Sequence, residues 1–173
     1  MKWQRMSMKN LISKLRVDYP MLEFINGEQF HWSPEKQQVC FLKNFPDNNR
    51  GKWTILHELG HALCGHKGYT YDLELLEMEA EAWEKAQEVA ESYNVIIDNN
   101  HIQDCLDTYR DWIHLRSTCP RCAFISTQKD GHNYQCFNCG HTWRVTSSRL
   151  SRPYRLSVDK KTTPAQKEQA LFV

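Results

Sequence analysis

Nowhere in this chain do apolar residues run long enough to cross a bilayer. The opening stretch, MKWQRMSMKNLISKLRV, is basic without a continuous apolar core, so it is not expected to act as a signal peptide, and no membrane partner is expected. Cysteine is in the wrong number for a disulfide framework. There are seven, and only Cys40, Cys64 and Cys105 lie outside one C-terminal cluster. Those three sit in apolar-periodic segments and read as buried free thiols of a reducing, cytoplasmic compartment. Acidic residues become scarce late in the chain. Residues 1–113 hold 12 Lys/Arg and 18 Asp/Glu, a net of −6; residues 114–173 hold 10 and 3, a net of +7. The overall charge of +1 therefore hides two regions of opposite sign. That argues for two modules, the second suited to DNA, RNA or another acidic surface. The plainer alternative is a basic part that only complements the acidic part, or a solvated tail.

What is present fits a globular protein: 173 residues, 40% apolar and 25% charged. The central feature is Thr54 to His66, TILHELGHALCGH, with the H-E-x-x-H motif His57-Glu58-Leu59-Gly60-His61 inside it. On a helix, residues four apart share a face, about 6 Å apart at Cβ. His57 and His61 can thus offer two imidazoles to one metal ion. Glu58 lies about 100° round the helix, where it can reach a metal-bound water rather than the metal. Ile55, Leu56, Leu59, Ala62 and Leu63 form the apolar stripe, and Gly65 and Gly68 allow a stop.

Before this helix, residues 7–18 carry Met8, Leu11, Ile12, Leu15 and Val17, an amphipathic pattern that predicts a helix ending before Tyr19-Pro20. Strands are predicted over Met21 to Ile25, Gln29 to Trp32 and Gln38 to Leu42, the first two joined as a hairpin through Asn26-Gly27. The polar loop 44–51 follows, and the motif helix starts near Lys52. After it, Asp72 is the expected cap of a helix from Leu73 to Tyr93. On that helix Leu76, Glu79/Ala80, Trp83, Ala86, Ala90 and Tyr93 share a face. An inward glutamate is costly unless it is paired or ligates a metal. Glu79, 18 residues after His61, is therefore the expected third ligand, with Glu77 as the best substitute. A further helix is predicted from Asn99 to His114, capped by Asp98 and burying Ile102, Leu106, Tyr109 and Ile113.

The second module opens with Cys119-Pro-Arg-Cys122 and continues, thirteen residues later, with Cys136-Phe-Asn-Cys139. Two such knuckles point to one structural zinc held by four thiolates. Strands are expected over Phe124 to Thr127, Tyr134-Gln135 and Thr142 to Val145, the layout of a zinc ribbon. No βαβ pattern surrounds the cysteines, which argues against a redox pair. The expected organisation is a metal-binding domain over 1–116, a ribbon over 117–146 and a basic, disordered tail over 147–173. The fold class is α+β: a small antiparallel sheet packed on the motif helix and two further helices, followed by the small β ribbon.

The run TILHELGHALCGH followed by EMEAEAW resembles the ImmA/IrrE-like zinc metallopeptidases. That resemblance, over about residues 10–95, implies a helix whose E-x-E-A motif supplies a glutamate ligand. Here Glu77-Met78-Glu79-Ala80 matches it and places the ligand at Glu79; Trp83 stands where the family has an aromatic, and Glu81 where it often has asparagine. It also implies protein substrates such as transcriptional repressors. The joining of an H-E-x-x-H domain to a ribbon is similar to SprT/Spartan-like proteases, which act on DNA-associated proteins. Their third ligand is usually histidine, for which His66 and His101 are the available residues.

The expected activity is that of a zinc-dependent endopeptidase with one catalytic and one structural Zn²⁺. His57, His61 and Glu79 would hold the catalytic zinc, and Glu58 would act as general base and then deliver a proton to the leaving amine. A further donor to the oxyanion is usual, and Tyr69, Tyr71, His66 and Tyr93 remain open for that role. The competing reading is a nucleic-acid- or protein-binding ribbon regulator whose metal site is not catalytic. The basic half and the aromatics Phe137 and Trp143, both expected to be exposed, motivate it; the intact Glu58 argues against it.

Overall fold

The computed structural model describes residues 6–45, 47–149 and 153–158. The chain divides into two compact units, residues 1–109 and 110–173.

The first unit begins with α1 (Met8–Asp18), whose Ser7 side chain caps the Asn10 N–H. Met8, Leu11, Ile12 and Leu15 are buried as the periodicity requires, whereas Val17 is 76% exposed. Three strands follow: β1 (Glu23–Gly27), β2 (His31–Ser33) and β3 (Gln38–Leu42). Their order is β1-β3-β2, with β1–β3 parallel and β2–β3 antiparallel. The sheet is thus mixed, and no hairpin joins β1 to β2 at Asn26-Gly27. The tight turn lies instead between β2 and β3, where Gln37 takes the left-handed conformation at φ 53° and its side-chain amide donates to the Pro34 carbonyl (2.7 Å). The physical reason is visible in β3. Val39, Cys40 and Phe41 are buried in succession, so both faces of that strand are covered and it must take the centre.

Helix α2 (Asn49–Leu63) starts three residues earlier than Lys52, because the Asn48 side chain caps the Gly51 N–H. Helix α3 (Asp72–Ser92) takes Tyr71 rather than Asp72 as its N-cap. The Glu74 carboxylate reaches back to the N–H groups of Tyr71 (3.0 Å) and Thr70 (2.7 Å), and this fixes the helix start. Helix α4 (Asn99–Ser117) has the Asp98 carboxylate on the Asn100 N–H (2.9 Å) and runs past His114. Ile102 and Leu106 join the core of the first unit, together with Leu11, Leu15, Phe24, Ile55 and Trp83.

The boundary between units falls inside α4, not after it. The last part of the helix belongs to the second unit, where Trp112 rather than Ile113 is the fully buried residue. The Arg116 guanidinium lies over the Trp112 ring (4.2 Å) and donates to the Thr146 carbonyl. Trp143 Nε1 donates to the Arg116 carbonyl (2.9 Å). The second unit's sheet is β4 (Gln128–Asp130), β5 (Asn133–Gln135), β6 (Thr142–Val145) and β7 (Arg155–Ser157), antiparallel in that order. Phe124 to Thr127 does not form the first strand; Ile125 makes only a single bridge to Thr118. Part of the expected tail is ordered: β7 pairs with β6 from Arg155 to Ser157, while residues 150–152 and 159–173 lie outside the described residues. Among the described residues no helix is long and apolar enough to cross a membrane.

Candidate metal centres

The two ligand groups read from the sequence are each brought together. His57, His61 and Glu79 converge with one donor atom apiece, and so do Cys119, Cys122, Cys136 and Cys139.

In the first unit, α2 presents His57 and His61 on one face, their Nε2 atoms 3.1 Å apart. From α3, Glu79 Oε2 lies 3.1 Å from His57 Nε2 and Oε1 lies 3.6 Å from His61 Nε2. Donors around one zinc at about 2.0–2.1 Å in a tetrahedron sit about 3.4 Å apart, so the two imidazole nitrogens and the Glu79 carboxylate fit such an ion. Glu79 is buried and Glu77 is exposed, which selects between the two glutamates. Burial alone would raise the Glu79 carboxyl; hydrogen bonds to His57 and His61 outweigh it and hold the carboxyl well below the usual range. Burial pushes the His57 imidazole down, and so favours its neutral, ligand-competent form.

The close approach of α2 and α3 depends on Gly60. A Cβ built there would meet the Ala82 carbonyl oxygen at 2.2 Å and its carbon at 3.0 Å. Backbone therefore packs on backbone beside the ligands, which only glycine permits. A glycine inside a helix pattern is the sequence signal for such a contact.

Glu58 is half-buried beside the ligands, and its Oε2 accepts the Trp32 main-chain N–H of β2 (2.8 Å). Burial raises its carboxyl to about 7, with His61 opposing and Glu79 reinforcing the shift. The edge strand β2 thus abuts the glutamate of the motif.

Helix α2 ends in a Schellman turn. Gly65 is left-handed (φ 70°) and its N–H bonds the Ala62 carbonyl (3.1 Å), while the His66 N–H bonds the His61 carbonyl (3.0 Å). That turn folds His66 back over its own helix. Its Nδ1 lies 2.9 Å from His61 Nδ1 and its Nε2 lies 3.0 Å from Glu81 Oε2. Both ring nitrogens are engaged away from the ligand face, so His66 is neither a third ligand nor aimed at a substrate. The other expected donors are also elsewhere. Tyr93 is in the core with its hydroxyl donating to Asp18 Oδ2 (2.6 Å), and Tyr69 and Tyr71 are exposed on the connection before α3. His101, the remaining histidine weighed as a ligand, lies against Trp53 and Trp83.

In the second unit each knuckle is a turn closed by the residue after its second cysteine: Ala123 N–H to Cys119 O and Gly140 N–H to Cys136 O, both 2.9 Å. Cys119 and Cys139 sulfurs are 3.7 Å apart, and those of Cys122 and Cys136 are 3.5 Å apart. Thiolates at about 2.3 Å from zinc give tetrahedron edges of about 3.8 Å, so this set also fits zinc. The three cysteines outside the cluster are free; Cys40 is buried, while Cys64 and Cys105 are half-buried rather than enclosed.

No curated protein and no solved structure matches the chain. The sequence profile of the IrrE N-terminal-like domain, peptidase family M78, matches residues 14–146, which takes in both ligand groups. With that match spanning most of the chain, and with two histidines and a glutamate gathered where a metallopeptidase needs them, the protein belongs to the family of IrrE N-terminal-like peptidase domains.

Proposed function

We propose that this protein is a zinc-dependent endopeptidase acting on a protein substrate, regulatory or DNA-associated in kind. The observation that carries the reading is the convergence of His57, His61 and Glu79, with Glu58 beside them and bonded to no ligand of its own set. Zinc held by those three would leave a fourth position for water and would supply Lewis-acid chemistry at the scissile carbonyl. Glu58 takes a proton at a carboxylate oxygen and returns it to the leaving amine. Burial acts to raise its carboxyl above the usual carboxylate range, the direction that favours holding a proton. The Trp32 N–H keeps the carboxylate turned toward β2.

The ribbon would hold a second, structural zinc. Four thiolates saturate it, so its part is recruitment rather than catalysis. The basic charge of residues 114–173 and the exposed Phe137 favour contact with DNA, RNA or an acidic protein face, whereas Trp143, expected at the same surface, is fully buried in the ribbon's own core. Seven cysteines free of disulfides accord with a reducing, cytoplasmic setting.

The test joins metal analysis to cleavage of a protein substrate. The parent should carry two zinc ions. Glu58→Gln should keep both and lose cleavage by about 10²-fold or more. Glu79→Ala should lose one zinc and the activity, and Glu77→Ala neither. Cleavage that survives Glu58→Gln would overturn the catalytic assignment.

A further inference from the structure

We propose that His66 and Glu81 form a positioning relay that holds the metal ligand His61 in one tautomer and one ring orientation. The inference rests on the catalytic-zinc reading of the His57, His61 and Glu79 cluster.

His61 turns Nε2 toward His57 and Glu79, at 3.1 and 3.6 Å. Its other nitrogen, Nδ1, is then the one that carries hydrogen when Nε2 binds a metal. That Nδ1–H donates to His66 Nδ1, 2.9 Å away. His66 must accept there, so its own hydrogen sits on Nε2, which faces Glu81 Oε2 at 3.0 Å. Each of the three groups has one defined role: His61 donates, His66 accepts and donates, and Glu81 accepts. No other tautomer pair makes both hydrogen bonds with neutral rings.

The relay is built rather than incidental. The main chain of His66 is clamped at both of its polar groups. Its N–H closes the Schellman turn on the His61 carbonyl, and its carbonyl accepts Trp32 Nε1–H (2.8 Å). The ring is buried, and the chain ends outward at the exposed carboxylate of Glu81. The second histidine ligand is held by another device. His57 Nδ1 is buried without a hydrogen-bond partner, and the ring stacks on Trp83 at 4.2 Å and 22°. Polar orientation of a ligand through its outer nitrogen therefore falls on His61 alone. His66 and Glu81 touch neither substrate nor metal in this scheme; they act through His61.

The experiment uses the full-length, zinc-loaded protein. Competition against a chromophoric chelator should show the exchangeable zinc weakened about 10- to 100-fold by Glu81→Leu and by His66→Phe. Glu81→Gln, which keeps an acceptor oxygen, should restore most of the affinity. Glu81 is exposed, so its substitution leaves packing intact and the result does not hinge on folding. Long-range ¹H–¹⁵N spectra should show His61 protonated at Nδ1 and His66 at Nε2. Parent-like affinity in both Glu81→Leu and His66→Phe, or a His66 protonated at Nδ1, would overturn the relay. If His57→Ala removes a zinc while those two variants bind like the parent, the relay alone falls. If His57→Ala removes none, the catalytic-zinc reading falls and takes the relay with it.

Discussion

The two ligand clusters are held in place by opposite means. The His57, His61 and Glu79 group rides on α2 and α3, which are locked by a core running from Leu11 through Phe24, Val39, Leu56 and Trp83 to Ile102. The cysteine group rides on two turns, and the buried cluster around it is Cys119, Tyr134, Cys136, Trp143 and Val145. Two of those five are ligands themselves. On the proposed reading, packing defines the site in the first unit and an ion would be added to it, whereas in the second an ion would supply most of the packing. A site proposed to leave a position open for chemistry would thus be carried by a frame with its own core.

The largest expected effect follows from that contrast. Cys136→Ser, or removal of zinc from the ribbon, should unfold residues 117–146, because zinc binding there contributes on the order of 10 kcal/mol. His57→Ala should leave the first unit folded. Hydrogen exchange separates the two outcomes: amides of β5 and β6 should lose protection in the first case, and those of α2 and α3 should keep it in the second. Protected ribbon amides without zinc would show that the Trp112, Arg116 and Trp143 contacts suffice to hold the ribbon, and the contrast would fail.

Gly60→Ala probes the other side. A methyl group there meets the Ala82 backbone, which cannot turn aside as a side chain would. The helices must separate, at a cost of about 3 kcal/mol, and Glu79 moves away from both histidines. Thermal unfolding of the first unit should therefore fall and its zinc should be lost, while the ribbon keeps its own. A variant with parent stability and parent zinc content would mean that the packing of α2 on α3 does not set the ligand geometry.

The same contrast explains what could be read from the sequence. His57 and His61 are legible because the helical period puts them on one face of α2 with Glu58 one step round, and Glu79 because the period turns it inward on α3 and the E-x-E-A match favours it over Glu77. The cysteine pairs were readable from spacing, since each knuckle is a local turn. The sheet was misread at Asn26-Gly27: a favourable turn pair outweighed the run Val39-Cys40-Phe41, whose burial on both faces marks the central strand. His66 stands in the sequence only as an available ligand or oxyanion donor, because its partner Glu81 is fifteen residues away and only the turn at Gly65 brings the two together. The ribbon's share of α4 was missed because Arg116 reads as a surface charge, yet it is 1% exposed over Trp112.

The smallest expected effect compares the knuckles with each other. Ala123 and Gly140 occupy the same place, one residue after the second cysteine, at φ 60° and 70°, and each closes its turn with a 2.9 Å bond to the first cysteine's carbonyl. An L-residue in that conformation costs roughly 1–2 kcal/mol, which glycine avoids at an entropic cost of roughly 0.5–1 kcal/mol in the unfolded chain. Ala123→Gly should therefore stabilise the zinc-loaded ribbon by about 0.5–1 kcal/mol, and Gly140→Ala should destabilise it by a similar amount. A Cβ at Gly140 meets nothing within 4 Å, so the loss there would be backbone strain and not a clash. Denaturant midpoints of the two variants and of the double exchange measure both. If the exchange of alanine and glycine between the knuckles leaves stability where it began, the turns are energetically equivalent and the ribbon tolerates its strained residue in either. If Gly140→Ala alone releases zinc, the second knuckle is the one whose turn must form before the four sulfurs can close on the ion.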